Sequence, residues 1–245
     1  MDAAAAPPPV RRPLVSFVGG GPGAADLVTV RGARAIAAAD VVVWGRNLVT
    51  EGVVSEHARP EAELLPWPPL TLEELVAVYD RVRDERLVLA RVHSGDPALY
   101  GTLEEEMGWA RERGLPYEVV PGISALSAAA ATLGRELAAK GSPRPVVMAR
   151  SGGGIPPAGK AEGDEQAALA LFMSAREPEE LRAELERAGF ASDTPCAIVH
   201  RVSWPDEEVV RCRLDEVPRR LGERDWSHLT LLLVGDWLAE PAAGA

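Results

Sequence analysis

The chain has 245 residues, 47% of them hydrophobic, which is enough to form the core of two modest domains or of one large domain. Its 37 acidic and 26 basic residues give a net charge of −11, which argues against a nucleic acid or an anionic membrane surface as the main partner. The two cysteines and four scattered histidines form neither a disulfide framework nor a metal-ligand motif. No apolar run approaches the ~20 residues of a membrane span. We therefore expect a globular, cytoplasmic protein with no metal, nucleic-acid or membrane partner.

In the first half of the chain, short apolar runs alternate with amphipathic segments. Thr29, and Thr71 with Glu74 three residues on, are typical of helix N-termini, and Gly114 is typical of a helix end. The pattern predicts strands at 14–18, 41–44, 64–65, 87–90 and 117–120, and helices at 29–39, 53–57, from 71 onward and at 102–113. Such regular alternation predicts a mainly parallel sheet with right-handed crossovers.

After Pro121-Gly122 the apolar runs follow one another more closely. They predict helices at 123–133, at 178–189 and from 215, strands at 146–149, 169–173, 197–200, 209–213 and 229–234, and a glycine-rich loop at 151–163. Crowded strands favour a mixed sheet. The predicted fold is therefore two α/β domains, at 14–120 and 121–240, the first with a mainly parallel sheet and the second with a mixed one. Residues 1–13 are expected to be a disordered tail and residues 241–245 a second tail.

The stretch Ser94-Gly95-Asp96-Pro97 is the turn between a predicted strand and the helix that follows it. In an open α/β sheet, ligands bind in the crevice outside the carboxyl ends of the strands, and Asp96 would place a carboxylate there. The alternative is that Asp96 only caps the turn. Thr102, with Glu105 three residues on, predicts a capping box at the start of the helix.

A second glycine-rich turn, Gly19 to Ala24, follows the first strand and fits the G-x-G-x-x-A pattern of dinucleotide-binding folds. Three features argue against a nicotinamide cofactor. Pro22 removes a backbone N–H from the loop, the helix cap comes late, at Thr29, and Asp40 precedes the second strand instead of following it. A nicotinamide-dependent oxidoreductase nevertheless remains an alternative at this point.

Several motifs, in this order and spacing, resemble the tetrapyrrole (corrin/porphyrin) methylases from Leu14 to about Leu238. They are Val18 to Gly23, Asp26 to Gly32, Ala39 to Val43, Ser94 to Pro97, Tyr117 to Ala125, and Val234-Gly235. Within the family, Leu133 to Leu137 and Val202 to Glu207 are most similar to the members that methylate precorrin-4 at carbon 11.

The resemblance implies an S-adenosylmethionine-dependent C-methyltransferase of cobalamin biosynthesis that releases S-adenosylhomocysteine, with the cofactor in a trough between two domains. The implied cofactor-binding residues are Gly21, Pro22, Ser94, Gly95, Asp96, Leu99, Ser124, Ala125, Met173, Ala197 and Thr230. It also implies a homodimer. No catalytic base is assigned, because the turn after the second strand reads Gly45-Arg46-Asn47, without a carboxylate.

A tetrapyrrole is a polycarboxylate, so arginines are expected to receive it, and Arg46, Arg135 and Arg150 are the candidates. The segments 138–142 and 151–163 depart from the family pattern in a part that faces the substrate, which leaves the exact tetrapyrrole open. The implied substrate is precorrin-4 or cobalt-precorrin-4, with uroporphyrinogen III or another precorrin as the alternative. A non-catalytic tetrapyrrole-binding protein is the remaining rival.

Overall fold

The computed structural model of the chain describes residues 13–150, 153–157, 166–172, 177–224, 226 and 228–239. These residues form two compact units, divided between Ile123 and Ser124, three residues beyond the boundary expected from the sequence. The predicted tails and most of the predicted loop at 151–163 lie outside the described residues. Within them, no helix is long and apolar enough to cross a bilayer.

The first unit is an α/β layer structure. Its elements are β1 (Val15–Gly19), α1 (Val30–Ala37), β2 (Val41–Gly45), α2 (Glu51–Ser55), β3 (Glu63–Trp67), α3 (Leu72–Glu85), β4 (Leu89–His93), α4 (Leu103–Glu112) and β5 (Tyr117–Val120). The five strands form one sheet in the order β3-β2-β4-β1-β5, and every pairing is parallel. The predicted parallel sheet is therefore confirmed.

Each face of this sheet is covered by two helices. Side chains of α1 and α2, such as Ile36 and Val53, pack on one face against Val18 and Val92. Side chains of α3 and α4 pack on the other face against Phe17. The crossovers that leave β1 and β4 therefore run to opposite faces, although these two strands are neighbours in the sheet.

The second unit contains a mixed sheet, as predicted. Its elements are α5 (Ala125–Leu133), β6 (Val146–Arg150), β7 (Ala168–Phe172), α6 (Pro178–Arg187), β8 (Pro195–His200), β9 (Glu208–Arg213), α7 (Val217–Gly222) and β10 (Thr230–Val234). The strand order is β6-β7-β10-β8-β9, in which only β6 and β7 are parallel. Helix α5 packs on one face, and α6 and α7 pack on the other.

Two local predictions about the first unit are wrong. The fourth strand is β4 at Leu89–His93, not 87–90, so Arg91 lies inside it. Thr102 precedes α4 but makes no side-chain capping bond; its hydroxyl donates to Glu106 instead. By contrast, Thr71 and Glu74 form the predicted capping box at the start of α3.

Candidate active site

Three glycines bring three backbone segments together at the carboxyl edge of the first sheet. Gly19 ends β1, Gly95 follows β4 and Gly122 follows β5. A Cβ atom on Gly122 would lie 2.0 Å from the carbonyl oxygen of Gly95, and one on Gly19 would lie 2.4 Å from the Cα atom of Gly122. Because these neighbours are backbone atoms that cannot rotate away, only glycine allows the three loops to approach this closely.

Backbone hydrogen bonds join the first two of these loops. Gly21 and Gly95 exchange two bonds, with N···O distances of 3.2 and 2.7 Å, and Gly20 donates to the carbonyl oxygen of His93 at 2.7 Å. Gly21 and Gly95 both have positive φ angles, of 75° and 64°, which glycine adopts without strain. The glycine-rich turn and the central turn therefore form one connected backbone surface.

This surface lies where an open α/β sheet offers a binding crevice. β1 and β4 are adjacent, and their crossovers leave toward opposite faces of the sheet, which is the topological position at which open α/β sheets bind ligands. Arg46, the first residue after β2, lies at the same edge. The turns that the sequence singled out therefore lie at the edge where open α/β sheets bind ligands.

Asp96 ties the central turn to the loop after β5. Its Oδ1 accepts a hydrogen bond from the backbone N–H of Ala98 at 2.8 Å, and its Oδ2 accepts one from that of Gly122 at 3.3 Å. The carboxylate therefore does cap the turn, as the alternative interpretation proposed. An ionised carboxylate has about four acceptor positions, so it can still accept a hydrogen bond from a ligand hydroxyl.

The other residues singled out in this unit differ in how much they expose to solvent. Gly21, Pro22 and Gly95 are buried, whereas Ser94 and Leu99 are half-buried. The hydroxyl of Ser94 makes no hydrogen bond to any residue that the structure describes. Ser94 therefore presents a polar group, directly after β4, that a ligand can use.

A buried ion pair lies beneath this edge, between the sheet and α4. Arg91 of β4 forms a bidentate pair with Glu106 of α4, with Nε–Oε2 and Nη2–Oε1 distances of 2.7 and 2.9 Å. The hydroxyls of Tyr79 and Thr102 donate to the same carboxylate at 3.0 and 2.7 Å. The Glu106 side chain is 1% exposed and that of Arg91 is 5% exposed, so the pair is almost completely dehydrated.

The proton equilibria of this cluster follow from burial and from the ion pair. Burial raises the pKa of Glu106, but Arg91, then His93 and the hydrogen bonds, outweigh it, so the pKa lies below its usual value. Burial and the neighbouring Glu106 raise the pKa of Tyr79 far above its usual value. Burial, and then the charge of Arg91, lower the pKa of His93 to about 4. His93 is therefore neutral at pH 7.

His93 should make the stability of the protein fall in mild acid. Its folded pKa of about 4 lies below the usual 6.5, so the unfolded chain binds more protons between these values. The contribution of His93 to the free energy of unfolding is therefore fully present above pH 6.5. It decreases as the pH drops toward 4, by about 3 kcal/mol at most. We expect His93→Gln to flatten this dependence in urea titrations followed by the fluorescence of Trp109. An unchanged slope in the variant would show that another group titrates.

The family model for the tetrapyrrole (corrin/porphyrin) methylases matches residues 14–218, which is most of the chain. The chain belongs to this family. The methylase is 35% identical over 229 residues to the precorrin-4 C(11)-methyltransferase of Pseudomonas aeruginosa, covering 92% of this chain and 90% of that protein.

Solved structures give the same result. A cobalt-precorrin-4 methyltransferase superposes with a TM-score of 0.81 at 30% identity, covering 92% of this methylase and 96% of that chain. The uroporphyrin-III C-methyltransferase from Thermus thermophilus, solved in complex with S-adenosylhomocysteine, gives 0.70 at 28% identity, covering 91% of this methylase and 98% of that chain. The overall resemblance stated from the sequence is confirmed.

The candidate residues of the second unit of the methylase lie on α5 and on two central strands. Ser124 caps α5 by accepting a hydrogen bond from the N–H of Leu126 at 3.2 Å, and Ala125 begins the helix. Ala197 is fully buried in β8. Thr230, at the start of β10, is 3% exposed, and its hydroxyl lies 3.0 Å from Nδ1 of His200. Met173 lies outside the described residues. The binding roles of all five remain predictions.

The three candidate arginines of the methylase differ in how far they are exposed to solvent. Arg46 and Arg150 are exposed and Arg135 is half-buried. Among the residues that the structure describes, none of the three has a carboxylate partner. Asp40, whose position argued against a nicotinamide cofactor, instead accepts a hydrogen bond from the N–H of Val88 at 2.7 Å and pairs with Arg59. No group of His, Cys, Asp and Glu among the described residues could hold a metal ion.

The cluster of Arg91, Glu106, Tyr79 and Thr102 was not predicted from the sequence. A signal was present, because Arg91 and His93 lie within an otherwise apolar run, directly before the central turn. A charged residue inside a buried strand requires a buried partner, and the three consecutive glutamates at 104–106 were the nearest candidates.

Proposed function

We propose that this methylase transfers a methyl group from S-adenosylmethionine to carbon 11 of precorrin-4 or cobalt-precorrin-4 in cobalamin biosynthesis. The observation that carries the proposal is the 35% identity, over 92% of the chain, to a precorrin-4 C(11)-methyltransferase. The higher TM-score with the cobalt-precorrin-4 enzyme, 0.81 against 0.70, supports it.

In this proposal the donor binds at the carboxyl edge of the first sheet. Gly21, Pro22, Gly95 and Leu99 offer backbone and apolar contacts, while the free Ser94 hydroxyl and the remaining acceptor positions of Asp96 suit the hydroxyl and amino groups of the donor. We also propose Ser124, Ala125, Met173, Ala197 and Thr230 as donor-binding residues. When bound, the donor supplies a methyl group already activated by its sulfonium centre.

The contribution of the chain is then mainly alignment. Holding two reactants in line can supply ~7–11 kcal/mol of the barrier, without an acid or a base. The rigid contact of Gly19, Gly95 and Gly122 suits this role, because three strands of one sheet fix the loops. No base is assigned: the turn after β2 has no carboxylate, and the buried His93, whose pKa is lowered to about 4, is a weak base.

We propose that Arg46, Arg135 and Arg150 bind the carboxylates of the tetrapyrrole and not the donor. The protein has a net charge of −11, so a polycarboxylate needs local positive charge, and these three arginines have no carboxylate partner among the described residues. An exposed ion pair contributes ~0.2–1 kcal/mol, so a measurable effect on tetrapyrrole affinity should require all three arginines together. Because salt screens exposed charges, the effect should also weaken as the ionic strength rises.

Replacing all three arginines by glutamine should therefore raise the KM for the tetrapyrrole and leave donor affinity unchanged. The parent enzyme should also lose tetrapyrrole affinity as the ionic strength rises. The matched control is Arg182→Gln, because Arg182 is already paired with Glu186 on α6. Equal loss of donor and tetrapyrrole binding in the triple variant would indicate a damaged fold, and unchanged turnover would make the arginines ordinary surface charges.

Incubation with methyl-labelled donor and a panel of tetrapyrroles tests the substrate. We expect label on precorrin-4 or cobalt-precorrin-4, at carbon 11. The second candidate substrate is uroporphyrinogen III, favoured by the likeness to the Thermus enzyme. Label on that compound alone would overturn the proposed substrate while leaving the methylase activity in place. We further propose that the methylase is cytoplasmic and forms a homodimer. Analytical ultracentrifugation of the purified protein tests the homodimer, because it measures the mass of the particle in solution.

A further inference from the structure

The loop from Ser94 to Gly101 carries the central donor contacts proposed above, and it is fixed unevenly along its length. Its first part is held at Gly95, by the two bonds to Gly21, and at Asp96, by the bond from Gly122. The second part is more open to solvent. Ala98 and Gly101 are exposed, and Tyr100 is 46% exposed with a positive φ of 58°.

One side chain links the end of this loop to the buried ion pair. Thr102 is exposed, yet its hydroxyl reaches inward and donates to Oε1 of Glu106 at 2.7 Å. It does not accept a bond from the first turn of α4, so its side chain does not cap the helix. The Thr102 carbonyl accepts from the N–H of Glu106 at 3.0 Å, so both its backbone and its side chain are tied to the same residue.

Glu106 is a fixed point because the core holds it independently of Thr102. Oε2 accepts from Nε of Arg91 and from the Tyr79 hydroxyl, and Oε1 accepts from Nη2 of Arg91. Thr102 fills the fourth acceptor position, which leaves none for His93, whose Nε2 is 3.9 Å from Oε2 and has no hydrogen-bond partner among the described residues. Removing the Thr102 hydroxyl would therefore break the side-chain link between the loop and Glu106 without breaking the ion pair.

We propose that Thr102 is a positioning residue for donor binding, which holds the loop from Ser94 to Gly101 against the buried Arg91–Glu106 pair. The inference rests on the proposed function, because it assumes that this loop binds the donor. Thr102 itself need not touch the donor. Its hydroxyl limits the movement of Leu99 and Tyr100, so the donor finds these residues already in place.

The test compares Thr102→Ala, Thr102→Ser and Thr71→Ala by calorimetric titration with S-adenosylhomocysteine and by steady-state kinetics. Thr102→Ala should raise the dissociation constant about fivefold, the equivalent of one net hydrogen bond, and raise the donor KM similarly. The kcat at saturating donor and the tetrapyrrole KM should not change. Thr102→Ser retains the hydroxyl and should restore donor affinity.

Thr71→Ala is the matched control, because Thr71 is a true cap in the same unit. It should lower the melting temperature by about 2–4 °C and leave donor affinity unchanged. The role proposed for Thr102 would be overturned if Thr102→Ala bound the donor as tightly as the parent, or if Thr102→Ser lost as much donor affinity as Thr102→Ala. Neither result would affect the proposed function. A parent protein that does not bind S-adenosylhomocysteine would overturn the proposed function and, with it, the inference.

Discussion

Replacement of Gly122 by alanine is expected to lower methyl transfer by about 100-fold, the loss that a displacement of ~1 Å can cause in an aligned active site. The new methyl carbon would lie 2.0 Å from the Gly95 carbonyl oxygen and 2.7 Å from the Cα atom of Gly19. Both neighbours are backbone atoms at strand ends, so the loops after β1, β4 and β5 must separate. Such overpacking also costs ~1–3 kcal/mol of stability. Donor affinity by calorimetry and the rate of label transfer measure the two effects.

Gly108→Ala is the matched control for this substitution. Gly108 lies within α4, and a Cβ atom there would meet nothing within 4 Å. Alanine is a better helix former than glycine by ~0.8–1.0 kcal/mol, so this variant should be slightly more stable and fully active. Equal donor affinity in the Gly122→Ala and Gly108→Ala variants would refute the role given to the glycine contact.

Replacement of Glu106 by glutamine should be the most destabilising conservative change in the first unit. Glutamine keeps the shape of the side chain but leaves the Arg91 charge buried without its counter-ion. Removing one partner of a buried pair costs about 3–5 kcal/mol. Urea unfolding followed by tryptophan fluorescence measures the loss; one of the six tryptophans, Trp109, packs edge-on against Tyr79 in this region.

Glu105→Gln controls for the charge change, because Glu105 is the exposed neighbour on the same helix. It should unfold at nearly the same urea concentration as the parent. Replacing both members of the pair by apolar residues, as in Arg91→Met with Glu106→Leu, should recover part of the loss, since no charge is then buried alone. A Glu106→Gln variant as stable as the parent would mean that the ion pair contributes nothing to the fold.

The order of the elements could be predicted because each apolar run and each helix start is a local signal. Thr71 with Glu74 illustrates this, since both halves of the predicted capping box are present. The same pattern failed at Thr102 and Glu105. There the Thr102 hydroxyl donates to the carboxylate of Glu106, which is fixed by Arg91, instead of accepting from the backbone N–H of Glu105.

The position of β4 illustrates the same limit. The sequence pattern ends the predicted strand before Arg91, because charged residues are almost never fully buried unless they are paired. The strand continues through Arg91 to His93, since Glu106, 15 residues along the chain, neutralises the charge. Long-range pairs of this kind carry no local pattern. The close contact of Gly19, Gly95 and Gly122 is also long-range, although the glycines themselves were identified from the sequence.

Calorimetric titration of the unmodified protein with S-adenosylhomocysteine tests the central claim, that the carboxyl edge of the first sheet belongs to a methyl-donor site. We expect one site per chain with a micromolar dissociation constant, which corresponds to a binding free energy of about −8 kcal/mol. Reduced and oxidised nicotinamide cofactors, titrated in parallel, should produce no binding heat, since Asp40 is engaged with Val88 and Arg59. Absence of binding by S-adenosylhomocysteine, with clear binding of a nicotinamide cofactor, would contradict the account.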